Sequence, residues 1–150
     1  MGREAPILLF DGVCGVCSTT VAFVIRHDRL RGTLRFATLQ GAFASELRAL
    51  HPELGLVDSI VWYQPAHGAA DADVKVRSEA TIAAGIYLGG IWGALAWMMS
   101  LLPRAFRDWA YDAFAARRHK LTRLRAACLL PSPEDRWRFL DLDRGDSGER

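Results

Sequence analysis

A chain of 150 residues, 51% hydrophobic and 24% charged, can close a core without crosslinks, since this length buries about 68–70% of its unfolded surface, and its composition excludes a disordered polymer. A net charge of +2 is too small to indicate nucleic acid as a partner, and three cysteines are too few for a disulfide framework. The start, Met1-Gly2-Arg3-Glu4-Ala5-Pro6, lacks the apolar core and cleavage site of a secretory signal, so a cytoplasmic location is expected, where a C-x-x-C pair reads as redox or metal chemistry.

In chain order, Ile7–Phe10 is a short continuous apolar run, the pattern of a strand buried on both faces. Asp11-Gly12 supplies turn chemistry. A helix is predicted from near Cys14 to about His27, with Val21, Val24 and Ile25 on its apolar side, ended by Asp28–Gly32. Leu34–Leu39 alternates weakly and reads as a second strand. Ala42–Leu50 reads as a helix stopped by His51-Pro52. Asp58–Tyr63 is the third predicted strand, Gln64–Asp73 a hairpin loop and Val74–Arg77 a fourth strand. Ser78 is then placed as the N-cap of the next helix.

The resulting order, β-α-β-α-β-β-α, begins with a right-handed parallel crossover and closes with an antiparallel hairpin. It is the order of a thioredoxin-like α/β core. One domain is expected over 1–150, with the core at 6–88, a helical extension at 89–140 and a frayed tail at 141–150.

Ala80–Leu102 carries no charged residue and is long enough to span a bilayer. Gly85, Gly89, Gly90 and Gly93 interrupt it, and Gly89-Gly90 marks a break. The favoured reading is a buried pair of helices with Trp92, Trp97, Met98 and Met99 lining a core; membrane insertion or interfacial docking is the alternative. Beyond Pro103 the chain turns amphipathic and basic. Arg104, Arg107, Arg117, Arg118, Lys120, Arg123 and Arg125 outnumber Asp108 and Asp112, while Trp109, Ala110, Ala113, Phe114 and Leu121 share one helical face. A run of this kind is usually a solvated face, and it lacks a nucleic-acid motif.

Cys14 and Cys17 are three residues apart, on one face of a helix start. There the unpaired N–H groups and partial positive charge favour a thiolate, and cysteines so placed have pKa values of about 3.5–7.5. Cys14, the outer thiol, is the expected nucleophile, and Cys17 the thiol that resolves the mixed disulfide. Zinc is the competing reading, but a structural site wants four ligands, and Cys128, His27, His51, His67 and His119 stand at no ligand spacing. No metal and no cofactor is therefore expected. Asp11, three residues before Cys14, either caps the turn or accepts a proton from Cys17.

Asp11-x-x-Cys14-x-x-Cys17 after an apolar strand resembles the DCC family of thiol-disulfide oxidoreductases. Further segments carry the resemblance: Phe36-Ala37-Thr38-Leu39-Gln40, Arg77-Ser78-Glu79-Ala80, Leu88-Gly89-Gly90-Ile91-Trp92, then Pro103, Arg107-Asp108, Tyr111-Asp112, Ala115 and Arg118, and finally Cys128, Pro131 and Arg138-Phe139-Leu140. It covers about Pro6 to Leu140. It implies a thioredoxin-like fold, disulfide oxidoreductase activity and helices of the domain, not a membrane span, at 80–102.

One departure stands out. Thioredoxin-like proteins usually place a cis-proline before the third strand, and Val57-Asp58-Ser59 has none. A cis bond without proline costs about 2.5–4 kcal/mol, so a trans bond is expected. Ser78, besides its capping role, sits at a helix start that binds anions; in glutathione-using relatives of the fold a serine in this turn holds a glutathione carboxylate. Ser78, Arg77 and Gly12 are thus the substrate-binding candidates, with glutathione or a similar small thiol as one possible substrate class and an unidentified electron donor. The competing reading is a non-enzymatic module that docks a partner or an anionic membrane surface through its apolar and basic C-terminal helices.

Overall fold

A computed structural model describes residues 5–12, 15–28, 32–57, 59–66, 71–122 and 132–141, with side chains described for all of these except 15–17, 56 and 118–122. Among them are four strands, β1 (Ile7–Phe10), β2 (Arg35–Thr38), β3 (Val61–Gln64) and β4 (Asp73–Val76). Five α-helices are α1 (Gly15–His27), α2 (Ala42–Leu50), α3 (Arg77–Leu88), α4 (Gly90–Ser100) and α5 (Arg104–Thr122). The sheet order is β2-β1-β3-β4. β1 runs parallel to β2 and antiparallel to β3, and β3 runs antiparallel to β4. The elements follow one another as β-α-β-α-β-β-α, as expected, and the mixed α/β sheet is consistent with a thioredoxin-like fold.

All four residues of β1 are buried, and their alternation divides the core. Leu8 and Phe10 pack with Val21, Val24, Ala80 and Ala84 of α1 and α3. Ile7 and Leu9 pack with Ala44 and Leu47 of α2 and with Leu54 of the 3-10 turn Pro52–Leu56. A central strand covered on both faces must be apolar at every position, which is why it reads as a run.

The third strand starts at Val61, later than expected, because pairing with the four-residue β1 begins at Leu9↔Val61; Asp58 lies outside the described residues. Ser78 is not the N-cap of α3. β4 runs straight into the helix, Val76 occupies the cap without a side-chain bond, and Arg77 turns the corner at φ 54°, a left-handed conformation uncommon for a residue with a Cβ. The hydroxyl of Ser78 instead donates to Asp108 Oδ1 of α5 at 2.6 Å.

The break between α3 and α4 falls at Gly89 (φ 67°) and Gly90 (φ 56°), as the sequence indicates. The burial expected beyond it does not follow. Ala96 is the buried residue of α4; Trp97 is 60% exposed and Met98 59%, and Met99 is also exposed. The reason is the contact surface. A Cβ on Gly85 would lie 2.7 Å from the Ala96 Cβ, and Gly93 faces the Gly85 and Ile86 backbone. α4 meets α3 through its small residues, which leaves Trp97 and Met98 in solvent, while Trp92 packs edge-on against Phe23 of α1.

The chain returns to the sheet at its C-terminal end. Phe139 forms a parallel bridge with Phe36 and Leu140 N donates to Phe36 O at 2.9 Å, covering the outer edge of β2. Phe139 stacks on Phe36, ring centroids 5.2 Å apart. Arg138, 3% exposed, pairs with Asp28 and donates through Nε to Leu34 O at 3.0 Å. Tyr87 OH donates to the same Asp28 carboxylate at 3.2 Å and accepts from Leu34 N at 3.1 Å. One buried polar knot thus joins the end of α1, the start of β2, α3 and the C-terminal segment.

Candidate active site

The strand register gathers the candidate residues at one end of the sheet. β1 and β2 end together, Phe10 opposite Thr38. β3 starts there, with Val61 beside Leu9, and β4 ends there, with Val76 beside Val61. Across that end stand Gln40, the Asp11-Gly12 turn, Ser59-Ile60 and Arg77-Ser78. β1 and β4 are two strand spacings apart, about 10 Å.

The turn after β1 is held from β2. Gln40 donates through Nε2 to Asp11 Oδ1 at 2.9 Å, and its Oε1 accepts from Gly12 N at 3.2 Å. One amide thereby satisfies both a carboxylate oxygen and a backbone donor. Gly12 fits closely here: a Cβ there would lie 3.1 Å from Thr38 Cγ2, a tight contact. Thr38 is fixed in turn by Asp141, whose Oδ2 accepts from Thr38 N at 2.5 Å and Thr38 Oγ1 at 2.9 Å. Gly41 leaves room for this carboxylate, which a Cβ would strike. The C-terminal segment therefore braces the strand end that carries the clamp.

From this turn the chain enters α1 at Gly15. Cys17 is the third residue of α1, with its side chain outside the described set, and Cys14 lies outside the described residues, as do Cys128 and His67. Among the described residues no three His, Cys, Asp or Glu side chains converge.

At the far side of this sheet end Ser78 is buried. Its partner Asp108 also receives Arg104 Nε at 3.6 Å. Arg77 is half exposed, with Nη1 3.9 Å from Asp112 Oδ2, and its backbone N donates to Ile60 O at 3.3 Å. Between the two sides, Ser59 is buried and its hydroxyl finds no hydrogen-bond partner among the described residues.

Four of these groups were not singled out by the sequence reading. Gln40 was legible in principle: in a parallel pair with Phe10 opposite Thr38, the residue two beyond Thr38 faces the one two beyond Phe10. Asp108 and Ser59, named above only within the Arg107-Asp108 and Val57-Asp58-Ser59 stretches, and Asp141 act or stand through tertiary placement.

The chain belongs to the DCC1-like thiol-disulfide oxidoreductase family, which it matches over residues 8–124. It is 33% identical over 138 residues to the uncharacterized protein YuxK of Bacillus subtilis, covering 89% of this chain and 93% of that one. It is 29% identical over 119 residues to a chloroplastic DCC family protein of Arabidopsis thaliana, covering 79% of this chain and 65% of that one. No solved structure matches it.

Proposed function

We propose that this member of the family exchanges thiols and disulfides through Cys14 and Cys17, with Cys14 as nucleophile. The observation that carries the reading is the start of α1 at Gly15, three residues after the Gly12 that Gln40 clamps. Cys17 is then the third residue of the helix and Cys14 immediately precedes it in sequence, and at such a helix start unpaired N–H groups and the helix dipole favour a thiolate.

The Cys14 thiolate attacks one sulfur of a substrate disulfide. A Cys14–substrate disulfide forms, and the other substrate sulfur leaves as a thiolate that takes a proton. Cys17 loses its proton and attacks the Cys14 sulfur, which releases the second substrate thiol and leaves a Cys14–Cys17 disulfide. Two electrons pass to the substrate, and a donor dithiol restores the pair. Asp11, turned by Gln40 at the foot of this helix, accepts the Cys17 proton. In the reducing cytoplasm the pair rests as the dithiol.

Substrate contacts fall to the Gly12 turn, to Arg77 and to the hydroxyl of Ser59, which has no hydrogen-bond partner among the described residues and occupies the stretch where a proline would otherwise present substrate. A small acidic thiol such as glutathione meets Arg77 in preference to Ser78, because the Ser78 hydroxyl already donates to Asp108 and that carboxylate repels an anion.

Reduction of a small disulfide by the purified chain, with a chemical dithiol as donor, tests the reading. Cys14→Ser is expected to abolish turnover, and Asp11→Asn to lower it about a hundredfold. Undiminished turnover in Cys14→Ser refutes the proposal.

A further inference from the structure

The surface built by α4 and the outer side of α5 has no partner among the described residues. Ile91 is 70% exposed and Trp109 66%; Leu95, Leu101, Leu102, Phe106 and Phe114 are exposed as well. Soluble monomers rarely leave so many large apolar side chains exposed on two successive helices, and such surfaces mark interaction sites. The patch continues inward as a cavity of about 240 Å³ between α1, α3 and α4, lined by Phe23, Ile82, Trp92, Leu95 and Met99 among others. Leu95 and Met99 belong to both.

Charge identifies the occupant. Residues 80–103 carry no charge, and 104–125 carry seven Arg or Lys against two Asp. Both carboxylates are turned to the body: Asp108 holds Ser78 and Arg104, and Asp112 faces Arg77. At 100° per residue, Phe106, Ala110, Phe114 and Arg117 lie on the opposite side of α5, with Trp109 at its flank; that side is therefore apolar with a basic end and has no acid of its own. An isologous dimer through this face would give the basic end no acidic counterpart, since the face carries no acid. A bilayer with anionic headgroups meets both components, taking Trp, Phe, Leu and Met into the acyl boundary and the arginines at the phosphates. No helix among the described residues is long and apolar enough to cross a membrane, so the contact is interfacial.

We infer that the α4–α5 face docks the protein on the surface of an anionic phospholipid bilayer, independently of its thiol chemistry. The full chain is mixed with phosphatidylcholine vesicles with and without phosphatidylglycerol, and partitioning is read by flotation and by the blue shift of tryptophan emission. Binding is expected to the anionic vesicles and to fall as salt rises. Trp97→Glu with Met98→Glu, both at exposed positions, is expected to weaken it at least tenfold, and Arg117→Glu about fivefold. Circular dichroism of each variant guards against a loss of fold; a variant that unfolds is replaced by Trp97→Ser, which carries the same expectation in direction. Failure of the unmodified chain to float, equal binding by the double variant, or sedimentation as a dimer that this variant splits would each overturn the inference. The last two outcomes point, respectively, to a different surface and to a second copy as the occupant.

Discussion

The C-terminal half of the chain contains two regions that invert the ordinary partition of residues. In the segment 132–141 a charged side chain is sealed inside: Arg138 lies against Asp28, Leu34 O and the Phe36 ring. On α4 and α5, tryptophans and methionines stand in solvent. Exposed single apolar residues are ordinary, whereas a buried charge or a large apolar patch is informative. The first region is a closed structural joint around Arg138, whose guanidinium meets Asp28 and Leu34 O. The second is an open surface, with area to bury and nothing among the described residues burying it.

If that contrast is sound, substitutions in the two regions should differ sharply in cost. Arg138→Ala should be the most damaging, by about 3–5 kcal/mol in chemical denaturation, because it strands the Asp28 carboxylate in the interior. A loss below about 1 kcal/mol would mean the pair is solvated and the joint is not closed. Gly41→Ala should cost about 1–3 kcal/mol, since the new Cβ displaces the Asp141 carboxylate from Thr38; an unchanged unfolding midpoint would remove Asp141 from the site's support. Gln40→Ala should cost about 1 kcal/mol for its two partly exposed bonds but slow disulfide reduction more than that loss suggests, measured as turnover against midpoint. Trp97→Ser should change stability in vesicle-free buffer by no more than about 0.5 kcal/mol. A large loss there would show that α4 is covered within the protein itself.

What could be read from the sequence follows the range of the forces involved. The bounds of β1 and of α2 were legible because a buried run, an amphipathic repeat and a His51-Pro52 stop act within a few residues. The glycine break after α3 was legible for the same reason. The capping role of Ser78 failed because that rule assumes a loop before the helix, and here Arg77 makes the corner alone. The burial of α4 failed because an apolar helix was taken to be covered on all sides, while contact through Gly85 and Ala96 spares its large residues. Asp28 and Arg138 are 110 residues apart, beyond any local signal. At the candidate site, Asp11 and Gly12 were legible as a turn, but the amide that holds them belongs to another strand.

The chemistry itself turns on whether Cys14 captures a disulfide partner. Cys17→Ser protein, isolated under acid quench and analysed intact by mass spectrometry after exposure to a small disulfide, provides the direct readout. The account predicts one adduct of half the disulfide's mass, mapped to Cys14 and absent from the Cys14→Ser/Cys17→Ser double variant. Adduct formation at Cys128 alone, or none at all, would contradict it.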